Sequence, residues 1–170
     1  MAAVGEGAAL ARCFAPVVNA DTQVLILGSL PGAASLAAQQ YYAHPRNQFW
    51  PLLAAVLKQP DLPALAYPAR LQALLAAGVG LWDVVAQAQR RGSLDANIRA
   101  AQANPLPALI AQLPRLHTVA FNGATTARAA VQLTPYPWLR VLPLPSSSPA
   151  HTLAFADKLA AWQALADDIH

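Results

Sequence analysis

The chain has 170 residues, of which 56% are hydrophobic and 11% are charged, and its formal net charge is +3. This length and composition suit a single globular domain over residues 1–170 and argue against a disordered chain. No apolar run reaches the roughly 20 residues that a bilayer span requires, and no basic stretch precedes a long apolar one at the N-terminus. We therefore expect a cytoplasmic monomer that makes no contact with a membrane.

The single cysteine, Cys13, excludes an internal disulfide. One cysteine also cannot hold a zinc ion or an iron–sulfur cluster by itself, so no metal and no cofactor are predicted. We expect Cys13 to be a small buried packing residue on a first helix. The basic residues are scattered along the chain, so a nucleic-acid partner would have to be bound by a folded surface.

The first half of the chain predicts two strands and two helices. Residues 23–28 form a short apolar run that ends in a turn, which is typical of a strand buried on both faces. Residues 48–57 predict a helix with Asn47 as its N-cap, and residues 68–78 predict a second helix. A second strand is predicted over residues 81–85.

The second half continues the alternation of helices and strands. Helices are predicted over residues 105–113, 124–133 and 153–169, and strands over residues 118–121 and 138–144. Such alternation favours a parallel sheet with helices on both faces. The fold class predicted is therefore α/β, a three-layer α/β/α sandwich around a central four-stranded parallel sheet.

Ligands of such folds bind at the carboxyl ends of the strands. Three predicted strand ends carry most of the unusual polar residues of this chain. The first is followed by GSLPG at residues 28–32 and by YYAHPRNQFW at residues 41–50, the third by Asn122 and Gly123, and the fourth by LPSSSPAH at residues 144–151. These loops predict a binding site.

These motifs resemble the uracil-DNA glycosylase superfamily, and most closely its hypoxanthine-DNA glycosylase branch. The resemblance implies a four-stranded parallel sheet between helices, in agreement with the predicted elements. It also implies a DNA glycosylase of base-excision repair that flips out a deaminated base, hydrolyses its bond to deoxyribose and leaves an abasic site. Hypoxanthine is the base expected, and uracil or xanthine is the alternative.

The resemblance also implies roles for individual residues. Asn47 is the expected catalytic residue, Tyr42 is expected to stack on the flipped base, and Asn122 to recognise the base edge. The glycine-rich loop would line the base-binding pocket through Gly28, Ser29, Leu30, Pro31 and Gly32. Each role has a plainer alternative, because an asparagine can cap a helix or form a turn and a tyrosine can pack a loop.

Contacts to the DNA itself are expected from Arg46 and from the loop that follows the fourth strand. The hydroxyls and backbone N–H groups of that loop could bind phosphates, although three serines can equally form an ordinary polar turn. His151 could also be a surface histidine that opens the final helix. The predicted DNA-binding residues are Arg46, Ser146, Ser147, Ser148, Ala150 and His151.

Two positions depart from the pattern of the related enzymes. Leu30 and Leu144 stand where relatives carry polar residues that activate water or contact the leaving base. Asp83 could be a general base, but a turn or cap role is the more ordinary interpretation. A catalytically inactive DNA-binding relative therefore stays open, as does a small nucleotide-binding module, although the chain contains no glycine-rich phosphate fingerprint.

Overall fold

A four-stranded parallel sheet forms the centre of the computed structural model, which describes residues 8–91, 93–95 and 98–169. The strands of the described chain are β1 (Ala8–Arg12), β2 (Val24–Gly28), β3 (Val79–Asp83), β4 (Val85–Arg91), β5 (Ile98–Ala103), β6 (Thr118–Asn122) and β7 (Arg140–Leu144). The central sheet has the order β3-β2-β6-β7, and each neighbouring pair is parallel. The carboxyl ends of these four strands therefore meet along one edge.

Helices cover both faces of the central sheet. Their bounds are α1 (Ala33–Ala38), α2 (Phe49–Val56), α3 (Tyr67–Ala76), α4 (Leu106–Ile110), α5 (Ala124–Ala127) and α6 (Phe155–Trp162). Short 3-10 segments at Arg128–Leu133 and Gln163–Asp167 continue α5 and α6. No helix in the described part of the chain is both long and apolar enough to cross a membrane.

The core is split into two layers because successive side chains of a strand point to opposite faces. In β2, Val24 and Ile26 face one hydrophobic cluster, which contains residues of α2, α3 and α6. Leu25 and Leu27 face a second cluster, which contains residues of α4 and of the segment Arg128–Leu133. All five residues of β2 are buried, as the uninterrupted apolar run predicts. The predicted three-layer α/β/α sandwich is confirmed.

Some predicted helices are shorter than expected. The helix predicted over residues 105–113 is helical only at Leu106–Ile110, and residues 124–133 change from α-helix to 3-10 helix at Arg128. Pro114 restricts the residue before it to extended conformations, which opposes continuation of the first of these helices. The core side chains of both segments remain buried, so the layers are unaffected.

A second sheet lies beside the first and was missed by the sequence analysis. It is antiparallel with the order β1-β4-β5, so the predicted alternation of strand and helix is wrong between β3 and α4. Its strands are rich in Ala, Gln and Arg, which favour helices in isolation, and only pairing with distant partners makes them extended.

The prediction for Cys13 is also wrong. Cys13 is half-buried and follows β1 in an extended segment rather than lying on a helix. Its backbone N–H donates to the Ala86 carbonyl at 2.9 Å, and its Sγ accepts a hydrogen bond from Asn104 Nδ2 at 3.3 Å. The thiol thus helps to join the small sheet to the segment that follows it.

Candidate active site

A cavity of about 490 Å³ opens at the carboxyl ends of the parallel strands. Its volume lies in the range of small-molecule sites, and its position is the one expected for this fold. The segments 28–35, 93–95 and 146–151 line it, together with Tyr41, Tyr42, His44, Asn47, Asp83 and Asn122. With the exception of Arg46, which lies exposed outside the cavity, every residue predicted for the site is among its lining residues.

Gly28 leaves a gap at the floor of the cavity that two other side chains fill. A Cβ added at Gly28 would lie 2.6 Å from Asp83 Oδ1 and 2.8 Å from Tyr42 Oη. Real Cβ atoms do not approach neighbours so closely, so any side chain at Gly28 would displace one of these groups. Gly28 therefore has a packing role within the protein besides the lining role predicted for the glycine-rich loop.

The rest of the GSLPG loop is held in place by the segment after β4. Ser29 Oγ donates to Asp95 Oδ1 at 2.9 Å, and the Ala33 N–H donates to Ser93 Oγ at 2.9 Å. The buried guanidinium of Arg90 donates to the carbonyl groups of Leu30 and Pro31. Its neighbour Asp95 lies 4.0 Å away, at the edge of ion-pair distance. The small antiparallel sheet thus positions one wall of the cavity.

The side chain of Leu30 supplies no polar group to the cavity. Its side chain is 8% exposed and packs against Ala11 and Ala88 of the small sheet. Leu144 is likewise buried, in the hydrophobic core behind the cavity. Neither leucine brings a polar group into the site, so proton transfer and hydrogen bonding must come from other residues.

Tyr42 is held rigidly in a conformation that tyrosine rarely adopts. Its φ is +55°, in the left-handed region, which costs a non-glycine residue about 1–2 kcal/mol. The ring stacks on Phe49 with 3.9 Å between centroids and 16° between planes. One face of the Tyr42 ring is therefore already covered, and a base could stack only on the other. Burial, and then the nearby Asp83 carboxyl, raise the pKa of the Tyr42 hydroxyl, whereas the neighbouring Asn122 amide lowers it.

Asn47 lies one residue before Gln48, which is the N-cap of α2, so the predicted N-cap assignment is wrong by one residue. Its Oδ1 accepts a hydrogen bond from the Phe49 N–H at 2.9 Å. Within the described chain its Nδ2 makes no hydrogen bond, and Asn47 is half-buried in the cavity wall. The hydrogen bond from Phe49 thus fixes the amide oxygen at the start of α2 and leaves the Nδ2–H groups of Asn47 for a ligand.

His44 stabilises the loop that carries Asn47 by accepting two hydrogen bonds. Its Nδ1 accepts a hydrogen bond from the Arg46 N–H at 3.1 Å, and its carbonyl accepts one from the Asn47 N–H at 2.9 Å. An accepting Nδ1 carries no proton, so the neutral ring has its proton on Nε2.

Asn122 joins the end of β6 to the serine-rich loop. Its Oδ1 accepts from the Ser147 N–H at 2.9 Å, and its Nδ2 donates to Ser147 Oγ at 2.9 Å. The backbone N–H of Ser147 fixes the orientation of the amide, because it can donate only to the oxygen. Asn122 is 7% exposed. Much of its hydrogen-bonding capacity is therefore used within the protein.

The three serines are not equivalent. Ser147 is 1% exposed and engaged with Asn122, so the predicted phosphate contact of Ser147 does not fit its position. The carbonyl of Ser147 also accepts from the Gln48 N–H at 3.0 Å, which links this loop to the start of α2. Ser146 and Ser148 are half-buried at the rim, and their Oγ atoms accept from the N–H groups of Ser148 and Ala150.

Beyond the serines, Ala150 and His151 are exposed, and Arg46 is exposed outside the cavity. The loop is anchored from below by α6, because Lys158 Nζ donates to the Ser148 carbonyl at 3.2 Å and Trp162 Nε1 donates to the Pro145 carbonyl at 2.9 Å. A rigid, anchored rim of this kind is suited to positioning a large ligand.

Asp83 is a buried carboxyl at the cavity, a position that the sequence did not indicate. It ends β3 next to Gly28 of β2, is 3% exposed and lines the cavity. Burial and the neighbouring Asp95 carboxylate raise its pKa to about 7, against the opposing effect of Arg90. A carboxyl at the end of a buried strand was visible in the sequence, but its complete burial was not. The more ordinary interpretation, a turn or cap residue, is wrong.

Arg90, Ser93 and Asp95 were not predicted as site residues, because their role depends on the small sheet. Ala96 and Asn97, which follow Asp95 in the sequence, lie outside the described residues. No group of His, Cys, Asp or Glu in the described ranges could hold a metal ion. The polar groups available for chemistry are therefore amides, hydroxyls, a histidine and buried carboxyls.

A parallel α/β sandwich with a pocket at its strand ends, lined by amides, hydroxyls and a buried carboxyl, can hold a small polar ligand such as a nucleobase. The family model described as "Uracil DNA glycosylase superfamily" matches residues 15–166. The chain belongs to the uracil DNA glycosylase superfamily, and it is a DNA N-glycosylase whose substrate is DNA. The sequence-based predictions of family and enzyme class are confirmed.

Two curated relatives come from archaea of one genus, and both are called hypoxanthine DNA glycosylase. The protein of Methanosarcina barkeri is 43% identical over 110 residues, which are 65% of this chain and 69% of that protein. The protein of Methanosarcina acetivorans is 34% identical over 154 residues, which are 91% of this chain and 96% of that protein. An NMR structure from Methanosarcina acetivorans, described as a candidate uracil DNA glycosylase, is 33% identical and superposes with a TM-score of 0.84 over 93% of this chain and 97% of that one.

Proposed function

We propose that this chain removes hypoxanthine from DNA. The observation that carries the proposal is the 34% identity, over 91% of the chain, to a protein called hypoxanthine DNA glycosylase. The cavity supports it, because its floor and walls carry polar groups suited to the edge of a deaminated base.

The reaction would begin with the extrusion of the damaged nucleotide from the duplex, which costs about a few kcal/mol. The bond between C1′ and N9 breaks, and both of its electrons leave with the base. A water oxygen bonds to the cation-like C1′, the water proton passes to solvent, and the released base takes up a proton. The products are free hypoxanthine and an abasic site.

Asn47 is the residue we assign to the leaving base. Since its Oδ1 is held by the Phe49 N–H, the amide can offer its Nδ2–H groups to the ligand. A donor stabilises negative charge that develops on the nitrogen or oxygen atoms of the departing base, and a preorganised donor does so without reorganisation. The same amide N–H groups are poorly suited to activating the attacking water, because activation requires a group that accepts a hydrogen bond from the water. Weakly polarised water suffices when the sugar is already cation-like and the DNA phosphates stabilise it.

DNA would be held at the rim of the cavity. Ala150 and His151 are exposed there, and Ser146 and Ser148 lie beside them. We assign Arg46, which is exposed outside the cavity, and the two serines to phosphates, and Ala150 and His151 to the minor-groove side. We also propose that the protein acts as a monomer, because one cavity in one chain contains every residue assigned here except Arg46, and that it acts in the cytoplasm.

An assay on labelled duplexes tests the proposal. Duplexes with a single deoxyinosine, deoxyuridine or deoxyxanthosine are incubated with the protein and then treated with alkali, which cleaves abasic sites. We expect cleavage at deoxyinosine to be the fastest. Intact strands in every reaction, with DNA binding retained, would leave an inactive DNA-binding protein as the correct interpretation.

Uracil is the second candidate base. The similarity to a structure described as a candidate uracil DNA glycosylase favours it. Faster cleavage at deoxyuridine than at deoxyinosine in the same assay would establish uracil as the preferred base and refute hypoxanthine.

A further inference from the structure

Two buried polar atoms of the cavity have no hydrogen-bond partner among the described residues. They are the Tyr42 hydroxyl and Asp83 Oδ2. A buried polar group without a partner costs about 1–3 kcal/mol, and such groups in native proteins usually await a water or a ligand. The other buried atoms of this kind in the described chain belong to residues that do not line the cavity: Gln23, Gln48, Thr126 and Asp168.

The two groups lie together. Tyr42 Oη and Asp83 Oδ1 are both within 3 Å of the position that a Cβ of Gly28 would occupy, at 2.8 and 2.6 Å. The left-handed backbone of Tyr42 and its stacking on Phe49 keep the hydroxyl at this place. Strain maintained at a residue with a buried, unpartnered hydroxyl is typical of a functional site.

The chemistry of the pair is one donor beside one acceptor. A hydroxyl can donate, and the Asp83 carboxyl can only accept once it is ionised, which its raised pKa of about 7 permits above neutral pH. Asn122, which the sequence assigned to base recognition, is already bonded twice to Ser147, and its amide lies near the Tyr42 hydroxyl without a geometrically formed hydrogen bond to it. The unused hydrogen-bonding capacity at the floor of the cavity therefore belongs mainly to Tyr42 and Asp83.

We propose that Tyr42 and Asp83 together read the lactam edge of the flipped base. The Tyr42 O–H donates to the carbonyl oxygen of the base, and the Asp83 carboxylate accepts from the adjacent ring N–H. The inference rests on the proposed function, since it requires a flipped base in this cavity. It assigns Tyr42 a polar contact in addition to, or in place of, the stacking role that the sequence predicts.

This arrangement would detect deamination itself. Adenine and cytosine present an amino donor beside a ring nitrogen that accepts, whereas their deamination products hypoxanthine and uracil present a carbonyl acceptor beside a ring N–H. Deamination thus reverses the pattern at both atoms. A site that hydrogen-bonds the edge of the deaminated base rejects the normal base strongly. With the normal base, the donor of the site would face a donor and its acceptor would face an acceptor, so the buried groups would be left unpaired. Guanine has the same lactam edge, so its exclusion depends on the shape of the cavity around its 2-amino group.

The test uses binding to duplexes that cannot be cleaved. A 2′-fluoro substituent disfavours the cation-like state of the sugar and so prevents cleavage. Fluorinated nucleotides that carry hypoxanthine, adenine or unsubstituted purine can therefore be compared at equilibrium by fluorescence anisotropy, at about pH 8, where Asp83 is ionised. Unsubstituted purine lacks both the carbonyl oxygen and the ring N–H. Tyr42→Phe should weaken binding to hypoxanthine by about tenfold and leave binding to purine within about twofold.

The substitution Asp83→Asn tests the proposed contact between the Asp83 carboxylate and the ring N–H of the base. An amide can donate to the ring nitrogen of adenine, which a carboxylate cannot. The preference of the protein for hypoxanthine over adenine should therefore fall by about tenfold in this variant. Both substitutions preserve shape, and thermal melting of each variant verifies that it is folded.

Tyr41→Phe is the matched control. Tyr41 also lines the cavity, but its hydroxyl already donates to the Ala15 carbonyl at 3.1 Å. Its removal should change binding to hypoxanthine and to purine by the same factor. Equal factors for the two bases in Tyr42→Phe, or an unchanged preference in Asp83→Asn, would overturn the inference.

Cleavage by the wild-type protein separates this inference from the proposed function. If the wild type cleaves deoxyinosine but the two variants keep the base preferences of the wild type, only the inference fails. If the wild type cleaves deoxyuridine alone, the proposed function fails, and the comparison is repeated with uracil and cytosine, whose edges differ in the same way.

Discussion

Replacement of Asp83 by asparagine should change how the stability of the free protein depends on pH. Asp83 is buried at the floor of the cavity, where burial and the Asp95 carboxylate raise its pKa from 3.8 to about 7, although Arg90 acts in the opposite direction. In the unfolded chain the carboxyl ionises near its ordinary pKa. The folded state therefore retains a proton that the unfolded state loses as the pH rises.

The difference between the folded-state and unfolded-state pKa of Asp83 determines how its contribution to the free energy of unfolding changes with pH. A raised folded-state pKa means that the contribution of Asp83 is most favourable below pH 3.8 and is lost as the pH rises toward and through about 7. Each unit of pKa difference corresponds to about 1.4 kcal/mol, so about three units correspond to about 4 kcal/mol as an upper bound. Asparagine has the same shape and no ionisation, so the variant should not show this loss.

Chemical denaturation of both proteins at several pH values between about 4 and 8 measures the effect. The free energy of unfolding of the wild type should fall relative to that of Asp83→Asn as the pH rises, by up to about 4 kcal/mol. The exposed carboxyl of Asp61 provides a control, since Asp61→Asn removes the same charge without a buried site. A constant difference between wild type and Asp83→Asn across this range would refute the raised pKa.

Three further substitutions test the other parts of the site. Asn47→Ala should lower the rate of base release by about tenfold or more and cost about 1 kcal/mol of stability, because the Phe49 N–H loses its acceptor. Asn47→Asp keeps the accepting oxygen but lacks the Nδ2 donor, so it should recover only the stability in a denaturation experiment. Asn122→Ala should destabilise the protein by about 1–3 kcal/mol by leaving Ser147 without its two partners, and a denaturation midpoint equal to that of the wild type would contradict this role. Gly28→Ala should abolish base release because its Cβ would collide with two groups at the cavity floor, and single-turnover kinetics at the wild-type rate would show that the floor is not needed.

The sequence by itself determined the architecture of the central sheet. The uninterrupted apolar run of β2 and the alternation with helices predicted a parallel sheet, because strands buried on both faces require apolar side chains on both. The order of the motifs after the strands then predicted one site at the carboxyl edge, and the cavity lies there. Local patterns and chain order are sufficient for these features.

Only the tertiary structure decided which polar groups are available in that site. Asn122 and Asn47 look alike in the sequence, yet the first is bonded on both sides to Ser147 and the second keeps its Nδ2 for a ligand. Asp83 looked like an ordinary turn residue, and burial between β2 and the tyrosine-bearing loop made it a carboxyl with a raised pKa. Hydrogen-bond partners and desolvation come from residues far apart in the chain, and no local pattern encodes them. For the same reason the small antiparallel sheet, whose Arg90 supports the cavity wall, was absent from the sequence-based fold.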